Sequence, residues 1–171
     1  GGGRGIRRCD SDKDLISNYA RVISEASKAF GQPEVFLEKC VVDPRHIEVQ
    51  VLGDSHGNVI HLFERDCSIQ RRNQKLIEIA PSPQITQAQR EYIGSLAVKA
   101  SRAVGYENAG TVEFLLDQDN NFYFMEMNTR IQVEHTVTET ITGIDIVQEQ
   151  IRIADGLKLQ YQQEDVRFRG Y

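Results

Sequence analysis

The sequence has few cysteines, no long apolar run and no excess of basic residues, and each shortage excludes a class of protein. Its three cysteines form no C-x-x-C pair, which excludes a disulfide framework and the usual zinc-ligand patterns. No stretch approaches the roughly 18 apolar residues of a transmembrane helix, and the N-terminus lacks the apolar core of a signal peptide. The sequence therefore predicts a soluble, cytoplasmic protein.

The charge balance is acidic, with 20 Lys and Arg residues against 25 Asp and Glu residues and a net charge of −5. No whole-chain basic field exists to attract nucleic acid or an anionic membrane, so we expect neither as a partner. Any anionic ligand must be bound by a local cluster of side chains. At 171 residues and 40% hydrophobic content, the chain is long enough for one or two domains with a hydrophobic core.

The apolar periodicity predicts an α+β fold. A capped helix over 11–30 and a short strand at 35–37 are typical of a small α/β unit. The rest of the chain predicts antiparallel strands flanked by helices. In order, these are a hairpin over 45–63, a strand over 67–79, a helix from Thr86, strands over 110–116 and 121–127 joined by a tight turn, and a helix from Ile144 to Gly156.

The most informative stretch is 124–135, where polar residues recur at every second position: Glu126, Asn128, Arg130, Gln132 and Glu134. A carboxylate and a carboxamide two residues apart supply hard oxygen ligands for Mg²⁺. Arginine offers a planar fork for an oxyanion. The array would span roughly 26 Å at about 3.3 Å per residue, so we expect the chain to bend after Asn128.

The alternative for this stretch is an amphipathic edge strand with a solvated charged face. Aromatic and methionine residues surround Glu126, which favours a buried strand. An unpaired buried carboxylate there would cost several kcal/mol, so a metal or cation partner is the simpler interpretation.

A second carboxylate, Glu113, lies in the strand that the tight turn folds back against the first. Antiparallel pairing would bring Glu113 near Glu126, and with Asn128 they would form a site for one or two Mg²⁺ ions. The charged segment 64–75 is by itself typical of a solvated strand. Together with Arg130, however, Lys75 would form the basic end of an anion pocket.

The first seven residues, Gly-Gly-Gly-Arg-Gly-Ile-Arg, would let backbone N–H groups approach a phosphate closely. They match neither the P-loop pattern nor the Rossmann fingerprint. Both ends of the sequence look cut, which indicates a fragment of a larger protein. The alternative is that the first three glycines are a cloning scar.

Five motifs together resemble the ATP-grasp core of biotin carboxylase, the component of biotin-dependent carboxylases such as acetyl-CoA carboxylase. The likeness runs through essentially the whole chain, and the last two motifs are highly specific. The resemblance implies an ATP-grasp fragment in which 1–40 belongs to the lid domain and 41–171 to the core domain. The motifs are residues 1–7, 38–39, 44–50, 64–72 and 126–135.

The resemblance also implies an activity, the carboxylation of biotin by bicarbonate through carboxyphosphate. The expected cofactors are ATP and two Mg²⁺ or Mn²⁺ ions, with biotin as a carried substrate. The expected partners are a biotin carboxyl carrier protein or domain, a carboxyltransferase subunit or domain, and a second copy in a homodimer. The alternatives are a non-catalytic nucleotide-binding module and another ATP-grasp carboxylate ligase.

Site roles follow from the same resemblance. Bicarbonate would be bound by Lys75, Arg130, Gln132 and the backbone of Val133, and Glu134 would be the base that removes its proton. Lys75, Arg130 and Glu134 are therefore the expected catalytic residues, with Arg130 beside Glu134 keeping it ionised. The metal ligands would be Glu113, Glu126 and Asn128. The ATP ligands would be Gly1, Gly2, Gly3 and Gly5 in the lid loop, Glu38, Lys39 and Val41 around adenine, His46 near the ribose, and Gln70 and Asn73.

Two positions depart from the family pattern. Asn73 stands where many members have His, and Thr136 replaces the usual Pro after Glu-His. The family's N-terminal domain, its phosphate-gripping lysines and a later arginine near biotin lie outside 1–171. We therefore expect the isolated chain to bind nucleotide weakly and to turn over poorly.

Overall fold

A computed structural model describes residues 5–72 and 74–169. Gly1, Gly2, Gly3 and Asn73, all expected nucleotide ligands, lie outside the described residues. The chain divides into two compact units, the first ending at Val42 and the second beginning at Asp43. The assignment of residues 1–40 to a lid domain and 41–171 to a core domain stays a prediction.

The first unit is built on helix α1, Asp12–Phe30. The Ser11 side chain accepts a hydrogen bond from the backbone N–H of Asp14, and Gly31, with φ of 74°, ends the helix, so the predicted helix and its cap are confirmed. The strand predicted at 35–37 is wrong. Phe36 and Leu37 are exposed and have no regular structure, because no strand among the described residues of this unit pairs with them.

The second unit contains an antiparallel sheet of five strands in the order β3-β2-β1-β4-β5. The predicted hairpin and the later strand pair are confirmed. The single strand predicted over 67–79 is wrong, because the first hairpin's second strand runs on to Arg71 and the chain then turns back. The strands are β1 Arg45–Gly53, β2 Val59–Arg71, β3 Gln74–Ile79, β4 Asn108–Leu116 and β5 Phe122–Asn128.

Three α-helices lie in the described part of this unit, α2 Gln87–Ala103, α3 His135–Thr142 and α4 Ile146–Ala154, followed by a short 3-10 helix, Gln163–Asp165. A capping box between Thr86 and Gln89 begins α2, as its predicted start requires. Helix α3 is not predicted, because Thr and Val dominate its sequence, HTVTETIT, and both are poor helix formers. Among the described residues, no helix is both long and apolar enough to cross a bilayer.

Strand β1 lies at the centre of the sheet, and its alternation separates two faces. Ile47, Val49 and Val51 are fully buried in the core that includes Ile93 and Ala97 of α2. The intervening residues Glu48, Gln50 and Leu52 are also fully buried, and pleating directs them to the opposite face.

That opposite face is apolar at one end and polar at the other. Leu52 packs in a second core with residues of α4 and the C-terminal segment, such as Ile146, Ile153 and Leu159. Glu48 and Gln50 occupy the other end. The fold therefore buries polar and charged side chains in one region of this face, beside an ordinary hydrophobic core.

Asp54 fastens the turn between β1 and β2. Its carboxylate accepts hydrogen bonds from the backbone N–H groups of His56 and Asn58 at 2.9 Å each, from the Asn58 amide at 2.7 Å, and from the N–H of Leu159 at 2.9 Å. Burial acts to raise the pKa of Asp54, but these hydrogen bonds outweigh it and lower the pKa below its ordinary value. The last bond also ties the turn to the C-terminal segment.

We expect Asp54→Asn to destabilise the protein by about 2 kcal/mol at pH 7, because an amide cannot accept all of these bonds. Because its pKa is lowered on folding, the ionised Asp54 carboxylate stabilises the folded state at pH values above its ordinary pKa of 3.8. This stabilisation is lost as the pH falls through the lower pKa of the folded state. The difference in the free energy of unfolding between wild type and variant should therefore shrink between pH 7 and pH 3. Urea unfolding followed by circular dichroism measures it.

Asp119→Asn is the matched control, since Asp119 is exposed in the other tight turn and its replacement should change stability by less than about 0.5 kcal/mol. An Asp54→Asn loss that is equally large at both pH values would contradict the role of the ionised carboxylate.

Candidate functional site

A row of four charged residues crosses the polar end of the sheet. Arg65 of β2 is the register partner of Glu48 of β1, which faces Glu113 of β4, which in turn faces Glu126 of β5. Direct partners share one face, and like charges placed opposite each other repel. Because Glu48 and Glu113 are both buried, their carboxylates need nearby cations.

Lys75 of β3 is one of these cations. Its Nζ contacts Glu48 Oε2, lies 2.6 Å from Glu134 Oε1 and lies 3.3 Å from Glu113 Oε1. Burial alone would lower the pKa of Lys75, but the charge of Glu48 and the hydrogen bonds that Lys75 donates to Glu134 and Glu48 outweigh it and raise the pKa. Lys75 is therefore a protonated ammonium held by three carboxylates.

Arg65 is the second cation. Its guanidinium is fully buried and donates from Nε to Glu48 Oε1 at 2.6 Å. Glu48 thus lies between two cations, with one oxygen on each. A planar guanidinium and a point-like ammonium flanking one carboxylate allow the buried charges to balance.

Glu113 receives hydrogen bonds on both oxygens. Its Oε1 accepts from Asn128 Nδ2 at 2.7 Å and from Gln132 Nε2 at 3.0 Å, and its Oε2 lies 2.8 Å from His46 Nε2. Burial acts to raise the pKa of Glu113, but the bond from His46 and the charge of Lys75 outweigh it and lower the pKa to about 2. Glu113 is therefore ionised at physiological pH.

His46 is expected near a ribose, but in this structure its ring is hydrogen-bonded to Glu113. Gln70 Nε2 lies 2.8 Å from His46 Nδ1 and can only donate there, so the imidazole proton resides on Nε2, which faces Glu113. Gln70, also an expected nucleotide ligand, thus acts on His46 in this structure. The nucleotide contacts of both residues stay predictions.

The expected metal ligands lie on the adjacent strands β4 and β5. Glu113 pairs with Glu126, and Asn128 pairs with Thr111 two residues further along. Asn128 donates its amide N–H to Glu113, so its Oδ1 is the atom that it can offer to a cation. Two carboxylates and one amide oxygen suit Mg²⁺ or Mn²⁺, and the residues present therefore fit such an ion.

The expectation that Glu126 lies in a buried strand is wrong. Strand β5 is an edge strand that contains no buried residue, and Glu126 itself is exposed. Phe124 and Met125, which made the stretch look buried, are 60% and 41% exposed. Among the described residues, no strand pairs with the outer edge of β5, so the apolar residues beside Glu126 do not bury its carboxylate.

Only part of the expected bicarbonate set converges. Glu134 and Gln132 join Lys75 and Glu113, whereas Arg130 is exposed and donates to the Ile131 carbonyl at 3.1 Å, and Val133 is 90% exposed. β5 ends at Asn128, so the expected bend is confirmed and the alternation of side chains stops there. Arg130 and the Val133 backbone stay predicted ligands.

The expected pairing of Arg130 with Glu134 is wrong. Among the described side chains, no ion pair joins these two residues, and the cation beside Glu134 is Lys75. Burial acts to raise the pKa of Glu134, but the hydrogen bond from Lys75 and the charges of Lys75 and Arg65 outweigh it and lower the pKa. Glu134 is thus ionised as expected, through a different partner.

The remaining expected nucleotide residues belong to the first unit. Glu38 and Lys39 are exposed and Val41 is half-buried, all in a segment without regular structure, and Gly5 lies in a turn with φ of 78°. The positive φ is a conformation that glycine adopts without strain. Their roles stay predictions.

Three residues of the cluster receive no role from the sequence: Glu48, Arg65 and Cys67. Burial, reinforced by the negative charge of Glu48, raises the pKa of the Cys67 thiol, so it stays protonated and unreactive. Glu48 and Arg65 lie in strands that read as charged and half-solvated. Their burial depends on strand order, for which the sequence contains no local signal.

We expect Glu48→Gln to lower the free energy of unfolding by about 3 kcal/mol, because it leaves the buried Arg65 guanidinium without its carboxylate. Glu126→Gln removes the same charge from the same row at an exposed position and should change stability by less than about 0.5 kcal/mol. Urea titrations of both variants at pH 7 provide the comparison. Equal losses would show that burial within the row does not matter.

Comparison with known proteins shows the family and the fold of the chain. Residues 1–162 match the family model described as the carbamoyl-phosphate synthase L chain, ATP-binding domain, and the chain belongs to this family of ATP-binding domains. It is 64% identical over all 171 residues to the 2-oxoglutarate carboxylase small subunit of Hydrogenobacter thermophilus. It is 55% identical over 172 aligned residues to biotin carboxylase 1 of Bacillus subtilis. The chain spans 36% and 38% of the lengths of these relatives.

Two solved structures share the fold over 99% of the chain and are covered over 38% of their own length. One is the biotin carboxylase domain dimer of the Hydrogenobacter thermophilus enzyme with MgADP, ADP and bicarbonate, at a TM-score of 0.94 and 64% identity. The other is a biotin carboxylase–nucleotide complex from Campylobacter jejuni, at 0.95 and 52%. The resemblance to biotin carboxylase and the α+β ATP-grasp fold are thereby confirmed.

Proposed function

We propose that the protein containing this chain carboxylates biotin with bicarbonate and ATP, and that residues 43–169 supply its metal and bicarbonate groups. The observation that carries the proposal is one connected set of hydrogen bonds, in which Lys75 donates to Glu134 and Glu113, and Gln132 also donates to Glu113. The relatives support it, since one similar structure contains both MgADP and bicarbonate.

Glu113, Glu126 and Asn128 would hold the divalent cation, which would offset negative charge on the triphosphate. Glu113 is already ionised and therefore ready to act as a ligand. Glu126, on the open edge strand, is accessible to an arriving metal–nucleotide complex.

Lys75 and Gln132 would bind bicarbonate. The Lys75 ammonium has three N–H donors, and the structure places a carboxylate oxygen of Glu48, Glu113 or Glu134 near each. The longest contact, 3.3 Å to Glu113, is the one most readily exchanged for an anion. Gln132 donates one amide N–H to Glu113 and has a second to offer.

Glu134 would remove the proton from bicarbonate, and the oxygen of that bicarbonate would attack the γ-phosphorus, release ADP and form carboxyphosphate. The carboxyl group would then pass to N1 of biotin as the C–O bond of carboxyphosphate breaks, and the released phosphate would take the N1 proton. The hydrogen bond from Lys75 keeps the pKa of Glu134 low. When Lys75 turns toward the bound anion, this bond weakens and Glu134 becomes a stronger base.

The nucleotide roles are part of the same proposal. Adenine would meet Glu38, Lys39 and Val41, and the phosphates would meet the lid loop of Gly1, Gly2, Gly3 and Gly5. His46, Gln70 and Asn73 are proposed as further nucleotide ligands. Arg130 and the Val133 backbone would approach bicarbonate from the exposed side. The carrier and carboxyltransferase partners, a homodimer and a cytoplasmic location are proposed with them.

We expect Glu134→Gln in the full-length protein to lower kcat at least about 100-fold, because proton acceptance contributes on the order of 10²–10⁴ in rate. The Kd for MgATP should change less than about threefold, since Glu134 has no proposed nucleotide contact. Steady-state ATPase assays and calorimetry measure the two quantities. The control is Glu91→Gln, which replaces an exposed carboxylate on α2 and should alter neither kcat nor the Kd for MgATP. Equal losses of turnover and affinity in Glu134→Gln would contradict the base role.

A direct test of the reaction is bicarbonate-dependent ATP hydrolysis by the full-length protein, with and without free biotin. ADP release that biotin stimulates supports the proposal. Nucleotide binding without turnover would indicate a non-catalytic module, and turnover that requires another carboxylate would indicate a different ATP-grasp ligase.

A further inference from the structure

We propose that Arg65 is a positioning residue for bicarbonate, acting through Gln132 and Glu48. The inference rests on the proposed function and deepens it by naming what orients the anion-binding amide. Arg65 itself is fully buried and is not required to touch any substrate.

The guanidinium of Arg65 uses all five of its N–H donors on side chains from separate parts of the unit. Nε donates to Glu48 Oε1 at 2.6 Å, and one terminal nitrogen donates to Gln50 Oε1 at 2.9 Å and Thr138 Oγ1 at 2.8 Å. The other lies 3.4 Å from both Thr111 Oγ1 and Gln132 Oε1. These five acceptors lie on β1, β4, the segment before α3, and α3 itself.

This arrangement fixes which way the Gln132 amide points. A guanidinium contains no acceptor, so Gln132 must direct its carbonyl oxygen at Arg65. Its NH₂ group therefore faces Glu113, whose ionised carboxylate can only accept. The orientation is determined at both ends, and the end that faces the candidate site carries N–H donors.

The same logic applies to Glu48. One of its oxygens is held by Arg65, and the other contacts Lys75. Arg65 thus constrains Gln132, a proposed bicarbonate ligand, and Glu48, which contacts the other proposed ligand, Lys75. Without the fork, the Gln132 carbonyl oxygen loses its donor, and only Glu113 still orients the amide. The turned amide, which would present an oxygen that repels an anion to the site, then becomes less unfavourable.

Lysine cannot replace this function, because an ammonium is a point charge with three donors and cannot span five acceptors. Arg65→Lys keeps the positive charge and the pairing with Glu48 but releases Gln132. The variant therefore separates the effect of orienting Gln132 from the effect of compensating the charge of Glu48.

The chain contains a matched control in Arg90 of α2. This arginine is also buried, and its Nε lies 3.0 Å from both carboxylate oxygens of Glu64, with further bonds to Ser82 and Gln87. None of these partners belongs to the proposed metal, bicarbonate or nucleotide sets. Arg90→Lys thus reports what loss of a buried arginine fork does to the fold alone.

The experiment measures KM for bicarbonate, KM for MgATP and kcat in the full-length protein, at a temperature where both variants are folded. We expect Arg65→Lys to raise KM for bicarbonate at least about tenfold with KM for MgATP within twofold. Arg90→Lys should leave both constants within twofold. The inference is overturned if Arg65→Lys leaves KM for bicarbonate unchanged, or if it raises both constants equally.

A double-mutant cycle tests the route through Gln132. If Arg65 acts by orienting this amide, Arg65→Lys should raise KM for bicarbonate much less in a Gln132→Ala background than in the wild type. Independent, multiplying effects would contradict that route. If Arg65→Lys does not fold, Thr138→Val is the substitute, because it removes one acceptor from Arg65 at nearly constant volume. It should raise KM for bicarbonate at least about twofold. No rise would overturn the inference.

The two proposals fail in distinguishable ways. If the wild type shows no bicarbonate-dependent ATP hydrolysis, the proposed function is wrong. If the wild type is active and Arg65→Lys behaves like Arg90→Lys, only the positioning role of Arg65 is wrong.

Discussion

Charge compensation inside the sheet is the constraint on which the site depends. Two carboxylates, Glu48 and Glu113, face each other across adjacent central strands, a pairing that is unfavourable unless cations share the space. Arg65 and Lys75 reach them from β2 and β3. The four residues are thus mutually dependent, and the order of the strands decides that they meet.

The site combines a buried, fixed part with a more accessible part. The fully buried Arg65 makes a fixed frame, whereas Lys75 is partly accessible, with 20% of its side chain exposed, and can exchange a carboxylate for an anion. Glu126 and Arg130 are exposed, so these two proposed substrate-facing groups lie outside the rigid frame, whereas the buried Gln132 is held by it. Such a gradient from a rigid base to an accessible rim is suited to binding charged substrates in a defined orientation.

Local signals predicted much of the fold. Ser11 and Gly31 delimit α1, Thr86 begins α2, and the tight turn at 117–120 brings Glu113 opposite Glu126, because caps and turns act over a few residues. Helix α3 was not predictable in this way, since its β-branched residues disfavour a helix that tertiary packing stabilises. The exposure of Glu126 was not predictable from local signals either, because burial of an apolar stretch depends on whether its strand lies at the edge of the sheet.

The sequence by itself determined the acidic charge, the helix caps, the turn that pairs Glu113 with Glu126 and the motifs that resemble biotin carboxylase. Only the tertiary structure decided that Lys75, rather than Arg130, stands beside Glu134, and that Arg65 joins Glu48 to Gln132. The physical reason is distance along the chain. Side chains separated by 17 to 67 residues become neighbours through strand order and register, which local periodicity does not encode.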